Sequence, residues 1–271
     1  VTPRMPLTWL YVPGDRPHVV TKALAAGADV VVIDLEDAVA PDRKEYARAA
    51  TADRLRAPQP VPVHVRVNAL DGPWAAADLT ALATLPGVSG LRLPKVTSPD
   101  QIRQVAVATP LPLYALLESA LAIEHAHAIA GAHPSLRGIS LGEADLRADL
   151  GVRADAGLDW PRSRVVVAAR AAGLAPPPQS VHPDIRDLDG LAASSAHGRA
   201  LGFLGRAAIH PRQLPVIEQA YLPTPAEIEQ AETIIKAAAT HQGAQALPDG
   251  RFIDAAVVAM ARRTLSLARR D

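Results

Sequence analysis

Along the chain, short runs dense in Val, Leu and Ile alternate with longer stretches of helical character rich in Ala, Arg, Asp and Glu. The apolar runs are Thr8–Val12, Asp29–Asp34, Val61–Asn68, Gly90–Val96, Leu111–Glu118, Leu136–Leu141, Pro178–His182 and Phe203–His210. They are near-continuous rather than strictly alternating, as expected of parallel strands covered by helices. Between them the pattern predicts helices near Pro17–Ala26, Asp42–Ala57, Pro73–Ala83, Ser98–Ala108, Ser119–Ala130, Trp160–Ala172, Leu188–Leu201 and Pro211–Ala220. Proline in the first turn supports helix starts at Asp15-Arg16-Pro17 and Thr97-Ser98-Pro99-Asp100. Eight strand–helix units within about 220 residues predict an α/β fold of the (β/α)8 TIM barrel type. A doubly wound open sheet is the alternative, but no Gly-rich dinucleotide fingerprint follows any of the runs.

After the eighth unit the chain continues. Pro225–Thr240 reads as a helix, His241–Gly250 as a loop with Gly, Gln and Pro, and Asp254–Arg269 as a second amphipathic helix. The expected organisation is a catalytic barrel over residues 1–222 and a C-terminal helical extension over 223–271. Such an extension braces the barrel or reaches a neighbouring subunit.

Composition narrows the function classes. Lys+Arg and Asp+Glu are equal at 28 each, so no net charge favours nucleic acid or an anionic membrane. A hydrophobic content of 49% supplies a sizeable core and excludes wholesale disorder. The absence of cysteine removes disulfides, thiolate metal sites and a cysteine nucleophile, and fits a reducing cytoplasm. Apolar stretches such as that within Ala28–Ile33 fall far short of the roughly 20 residues of a membrane helix. The segment Val1–Leu7 has no signal-peptide pattern. Only 3% of residues are aromatic, too few for a single-strand stacking surface.

In a barrel, polar residues at the carboxyl ends of the strands line the mouth. Strand two ends Asp34-Leu35-Glu36-Asp37, strand three Arg66-Val67-Asn68, strand four in Lys95 and strand five in Glu118. Strand six runs out through Gly142-Glu143-Ala144-Asp145, and strand eight ends His210-Pro211. Taken singly, each is an ordinary solvated strand end or cap; together they predict one acidic rim. Oxygen donors without thiolates suit Mg2+ or Mn2+. Arg66 interrupts an apolar strand, so it faces a cleft and a substrate carboxylate, or forms a buried pair with Glu36 or Glu118. Lys95 is a Schiff-base candidate or a structural ion pair. His125 and His127 lie two apart, on different sides of a helix, and read as surface residues. His210 is a site residue or a packed cap.

Seven segments carry a resemblance. They are Leu10-Tyr11-Val12-Pro13-Gly14-Asp15-Arg16-Pro17, Asp34-Leu35-Glu36-Asp37-Ala38-Val39, Arg66-Val67-Asn68, Leu93-Pro94-Lys95, Leu117-Glu118-Ser119, Gly142-Glu143-Ala144-Asp145-Leu146 and Ala208-Ile209-His210-Pro211. In this order the chain resembles the citrate lyase beta-subunit family, within the HpcH/HpaI aldolase and malyl-CoA lyase superfamily, from Leu7 to Arg262.

The resemblance implies a Mg2+-dependent carbon–carbon lyase. It would cleave a citryl-, citramalyl- or malyl-type 3-hydroxyacyl thioester to an acyl thioester and a 2-oxo acid such as oxaloacetate. By resemblance the metal ligands fall on Glu118 and Asp145, and substrate binding on Arg66 and Glu118. Glu36 and Asp37 sit beside the metal and bind its waters. Asp254 would enter a neighbouring subunit's site as acid or base. There the chain departs from the family pattern, with Ala255-Ala256 where a Met-Pro-like pair is usual. Arg16, Lys22 and Lys44 are candidate contacts for CoA phosphates, or solvated helix charges. The expected partners are a CoA or acyl-carrier thioester and a 2-oxo acid, in a cytoplasmic homotrimer or a multiple of it. The competing expectations are a metal-dependent aldolase acting on free hydroxy-oxo acids and a non-catalytic subunit of a citrate lyase complex.

Overall fold

In the computed structural model, residues 5–240, 245–246, 250 and 252–268 are described. They fall into two compact units, one over Pro6–Ala220 and one from Tyr221 onward, each taken by itself below.

The first unit alternates strands and helices as the hydrophobic pattern requires. Its elements are β1 (Thr8–Pro13), α1 (Pro17–Leu24), β2 (Val30–Asp34), α2 (Lys44–Arg54), β3 (Val63–Arg66), α3 (Ala75–Leu82) and β4 (Gly90–Leu93). Then follow α4 (Pro99–Ala108), β5 (Leu113–Leu117), α5 (Ala120–Glu124), α6 (Ala126–Ala130), β6 (Leu136–Leu141), α7 (Glu143–Leu150), α8 (Asp159–Ala171), α9 (Leu188–Leu201), β7 (Arg206–Ala208) and α10 (Leu214–Tyr221). Helix starts follow the local chemistry. Ser98 and Gln101 form a capping box at α4, with Pro99 in its first turn. Ser119 accepts the Ala122 N–H at α5.

The strands form one curled parallel sheet of seven in the order β6-β5-β4-β3-β2-β1-β7. Strand β2 is buried at every position, which is why its apolar run is unbroken. The closed eight-stranded barrel expected from the pattern is not what the backbone pairing describes. The Pro178–His182 run contributes a single bridge, Gln179 to Arg206, instead of a strand. Prolines 176 to 178 have no N–H to give to a ladder. On the β6 side the Ser180 hydroxyl stands in for a ladder: it donates to the Leu141 carbonyl (2.6 Å) and accepts the Glu143 N–H (3.0 Å). A second correction concerns strand six. The strand itself is Leu136–Leu141 as expected, but Glu143 to Leu150 beyond it are helix α7 rather than a strand run-out.

Register explains what the sheet presents. Asp34, Arg66, Arg92, Tyr114 and Gly138 are paired in turn across β2 to β6 and so lie in one row. Two residues earlier along the strands, Tyr11, Val32, His64 and Gly90 form the next row. Gly90 makes room there, because a Cβ would run into the rings of Tyr114 and His64, which stack with centroids 4.4 Å apart.

The second unit contains α11 (Pro225–Thr240), a two-residue antiparallel pairing of β8 (Gln245–Ala246) with β9 (Phe252–Ile253), and α12 (Ala255–Ala268). Ala231, Ile234, Ile253 and Ala261 form its small core, with Val257, Val258 and Leu265 packed against them. Most of the expected His241–Gly250 loop, and Arg269, lie outside the described residues. Among the described residues no helix is long and apolar enough to cross a membrane.

Candidate active site

The site starts at the end of β2. Asp34, 2% exposed, accepts two backbone N–H groups of the following loop, from Glu36 (3.0 Å) and Ala38 (3.1 Å). From the other side the buried Lys44 ammonium donates to the Leu35 and Glu36 carbonyls at 2.8 and 2.7 Å. Burial lowers the Lys44 pKa from its ordinary value, and nearby carboxylates oppose that shift. This placement corrects the expectation for Lys44: its charge is spent inside, holding the Glu36 loop, and is not presented to a CoA phosphate.

Arg66 is fixed by that loop. Its Nε and Nη2 donate to the two Asp34 oxygens at 2.7 and 2.6 Å, a bidentate pair. Its Nη1 lies 3.0 Å from Glu36 Oε2 and 3.7 Å from Asp37. The buried pair expected as the alternative for Arg66 therefore exists with Glu36, but its principal partner is Asp34. Burial opposes the charge, yet the Asp34 hydrogen bonds and carboxylate outweigh it and raise the Arg66 pKa.

Lys95, two residues beyond β4, is the one non-glycine residue with positive φ among those described (φ 54°). That left-handed turn costs about 1–2 kcal/mol for a residue with a Cβ. It lets one residue brace two strands. Its N–H donates to Glu118 Oε2 (2.8 Å), while its Nζ reaches Glu36 Oε1 (2.7 Å) and Asp37 (3.6 Å). The close Glu36 carboxylate raises the lysine pKa, so the amine stays protonated at neutral pH. Of the two expectations for Lys95, the structure thus gives the ion pair; a protonated amine is no Schiff-base nucleophile.

Glu36 is 4% exposed, and both oxygens lie within ion-pair reach of cations but in hydrogen-bond geometry with none. Burial raises its pKa against the pull of Arg66. Glu118 is 5% exposed at the end of β5, with its pKa pushed up to about 7 by burial and then by the neighbouring Glu36 charge; Asp145 adds to the rise. Gly142 is the seat for this carboxylate, since a Cβ there would overlap Glu118 Oε1, Cγ and Cδ. Asp145 stands exposed in the first turn of α7 and makes no hydrogen bond or ion pair among the described residues.

Helix α7 is itself anchored. Glu143, its first residue, is held bidentately by the buried Arg162 (3.0 and 2.7 Å). Arg162 also binds Asp155 (2.7 and 3.0 Å) and Asp159 (3.1 Å). Further along, Asp149 accepts the Ala120 N–H at the start of α5 (2.7 Å).

The other expected residues lie apart from this cluster or do other work. Asn68 turns to Asp78, which also pairs with Arg48, a brace between β3 and α3. His210 caps the turn after β7, its Nδ1 accepting the Arg212 N–H. His125 contacts the Thr97 carbonyl on the surface. Arg16 and Lys22 are exposed at the two ends of α1, Arg16 4.0 Å from Asp15. In the second unit Asp254 caps α12, its Oδ1 accepting the Val257 N–H at 2.9 Å. Sequence reasoning gave no individual role to Asp34, Gly142 or Arg162, and gave Lys44 a different one. Asp34 carried a usable signal, a carboxylate ending the strand beside the one that ends in Arg66.

The donor set fits a hard divalent cation. It consists of carboxylate oxygens, with Glu36 short of hydrogen bonds, Asp145 unbonded and a glycine seat under Glu118. Among the described residues no three acidic or histidine side chains form a closed ligand set. Mg2+ itself keeps waters and takes one or two protein carboxylates. Fold and rim together define a parallel α/β protein with an acidic, cation-braced site at the carboxyl ends of its strands. The chain belongs to the HpcH/HpaI aldolase/citrate lyase family, whose model matches residues 7–211. It is 38% identical to a (3S)-malyl-CoA thioesterase of Cereibacter sphaeroides, over 96% of this chain and 93% of that protein. It is 36% identical to a citrate lyase subunit beta-like protein of Mycobacterium tuberculosis, over 96% and 94%. Among solved structures it is similar to protein CitE of M. tuberculosis in complex with magnesium, acetoacetate and coenzyme A. That likeness has a TM-score of 0.83, 35% identity and covers 99% of each chain.

Proposed function

We propose that this protein is a Mg2+-dependent carbon–carbon lyase that cleaves a 3-hydroxyacyl thioester into an acyl thioester and a 2-oxo acid. The observation that carries the reading is the gathering of Asp34, Glu36, Arg66, Lys95 and Glu118 at one end of the sheet, with Gly142 shaped around Glu118. Relatives bound to magnesium with oxaloacetate, or with acetoacetate and coenzyme A, support it.

In this reading Glu118 and Asp145 hold the cation, and Glu36 and Asp37 hold its waters. When bound, Mg2+ supplies Lewis-acid stabilisation of charge on the substrate oxygen beside the carboxylate. Arg66, locked in place by Asp34, offers a fixed positive charge to the acid end of the substrate and orients it. In cleavage the 3-hydroxyl gives its proton to a carboxylate of the rim acting as base and becomes the oxo group. The C2–C3 bond electrons pass to C2 as a thioester enolate, which then takes up a proton. Asp254 is assigned that proton: its Oδ1 is engaged as a helix cap, leaving Oδ2 for the transfer. Residues 223–271 would bring it to the site of a neighbouring subunit in a homotrimer or a multiple of it. Arg16 and Lys22 would meet the CoA phosphates. Closure of the sheet to a full barrel through Ser180 belongs to the same reading.

The 38% identity to a malyl-CoA thioesterase favours hydrolysis of the same thioesters as the second reading. The test is the purified full chain with Mg2+ and citryl-, citramalyl- or malyl-CoA, following acetyl-CoA, 2-oxo acid and free thiol. Equal amounts of acetyl-CoA and oxo acid without free thiol are expected. Free CoA with the intact hydroxy acid would replace the lyase by a hydrolase. Turnover of free hydroxy-oxo acids alone would replace both by an aldolase.

A further inference from the structure

One buried charge takes no part in the acidic rim. Arg92, in the middle of the polar row, is 3% exposed, and among the described residues no carboxylate lies within 4 Å of its guanidinium. Its hydrogen bond runs from Nη1 to the Tyr11 hydroxyl (3.3 Å), and its Nε has none. Aromatic rings enclose it: Cζ stands 5.7 Å from the ring centre of Tyr114, 5.8 Å from Tyr11 and 5.9 Å from Trp9. Beside it His64 is held neutral, because burial and then the Arg92 charge push its pKa well down. Cation–π contacts return part of the lost hydration, but a buried guanidinium without an anion remains unfavourable for the fold.

Its position explains what such a charge does. Arg92 is the register partner of Arg66 on the adjacent strand, and the Tyr11 ring is shared, lying 5.5 Å from the Arg66 Cζ as well. Adjacent strands run about 4.8 Å apart, so the two guanidinium groups are neighbours in surroundings that salt screens weakly. Arg66 is balanced by Asp34 and Glu36, whereas Arg92 has no such counter-ion among the described residues. Because an arginine only donates, the Tyr11 hydroxyl proton remains available for another acceptor.

We infer that Arg92 is a positioning residue, acting through Tyr11 and Arg66, whose uncompensated charge makes the site favour a ligand anion and limits the grip of the carboxylate cluster on its cation. The inference rests on the lyase reading, in which the ligand anion is the carboxylate of a 2-oxo acid.

Its signature is a pair of affinity changes of opposite sign. Arg92→Met keeps an unbranched stem out to about the position of Nε and removes the charge. The metal-free melting temperature is compared with the parent, and calorimetry gives the affinity for Mg2+ and, at saturating Mg2+, for oxaloacetate. The variant is expected to melt at the same temperature or higher, to bind Mg2+ more tightly and to bind oxaloacetate about tenfold more weakly. Arg92→Lys should return most of the oxaloacetate affinity. If Arg92→Met does not fold, Arg92→Gln carries the same comparison. Two affinities that move together, or an unchanged oxaloacetate affinity, overturn the inference. A parent protein that binds neither Mg2+ nor oxaloacetate overturns the lyase reading first, and the inference with it.

Discussion

Replacing Arg162 with methionine tests whether the ion network behind α7 holds the candidate metal site in place. The arginine side chain is 5% exposed and binds Glu143, 15% exposed, through two hydrogen bonds. Removing one partner of a buried pair typically costs 3–5 kcal/mol, because the other charge is left behind. The Asp155 and Asp159 pairs add little, at most about 1 kcal/mol, since those carboxylates are 63% and 37% exposed and screened by water. Glu143 sits in a first helical turn and can partly rehydrate, so the lower part of the range applies, about 3 kcal/mol in all. For a chain of this size that is a fall of roughly 6–12 °C in melting temperature. Urea denaturation gives the free energy and calorimetry the melting point. The pH dependence supplies a sign. Hydrogen bonding to Arg162 lowers the Asp155 pKa from 3.8 to about 2. That depressed value contributes stability above pH 3.8 that disappears as the pH falls through about 2. The gap between parent and variant should therefore narrow in acid. A loss below about 1 kcal/mol at neutral pH, or a gap that widens on acidification, would refute the reasoning.

Gly142→Ala places a methyl group inside the Glu118 carboxylate, so Mg2+ affinity measured by calorimetry should fall about tenfold or more; affinity equal to the parent's refutes the seat. With Glu118 near pKa 7, Mg2+ binding at pH 7 should release about half a proton, more at pH 6 and almost none at pH 8.5. Binding heats in buffers of different ionisation enthalpy measure this, and no buffer dependence rules Glu118 out as a ligand. His64 is buried neutral while its unfolded value is 6.5, so the unfolded chain takes up the proton and stability falls as the pH drops below 6.5. His64→Leu should reduce that acid slope by up to about 1.4 kcal/mol per pH unit; an unchanged slope in urea titrations contradicts it.

Hydrophobic patterning located the strands well because a strand covered on both faces reads as a near-continuous apolar run, as β2 does up to Asp34. It failed at Pro178–His182, a run with one aliphatic residue, Val181, that follows directly on Pro176 and Pro177 and forms a single bridge. The turn into α7 was hidden for another reason. Gly142-Glu143-Ala144-Asp145 is compatible with a polar strand end, and the Arg162 that makes Glu143 a helix anchor is 19 residues away. Charged residues inside apolar strands were the informative signal. It was applied to Arg66, where it led to the rim, but Arg92 carries the same signal in Gly-Leu-Arg-Leu. Partners were legible only in part: the Glu36 pair of Arg66 was expected, but its principal partner is Asp34, and no spacing rule relates residues on adjacent strands before the register is known.

The carboxylates of the rim differ in what they can offer a cation. Asp34 spends both oxygens on Arg66 and on the turn that follows it, so withdrawing it would leave a guanidinium unpaired in the interior. Glu36 is close to Arg66 and Lys95 at the same time, and a metal taking its oxygens directly would compete with two fixed cations. Glu118 has one backbone N–H as its partner, and Asp145 has no partner among the described residues. Those two can bind a metal without breaking an existing pair, which is why the proposed function gives them the ligand role and leaves the waters to Glu36 and Asp37. On this division the braced pairs act as scaffold. Arg66 and Lys95 are held by Asp34 and Glu36, so under the proposed function the guanidinium stands in place for the substrate's acid end before a cation arrives.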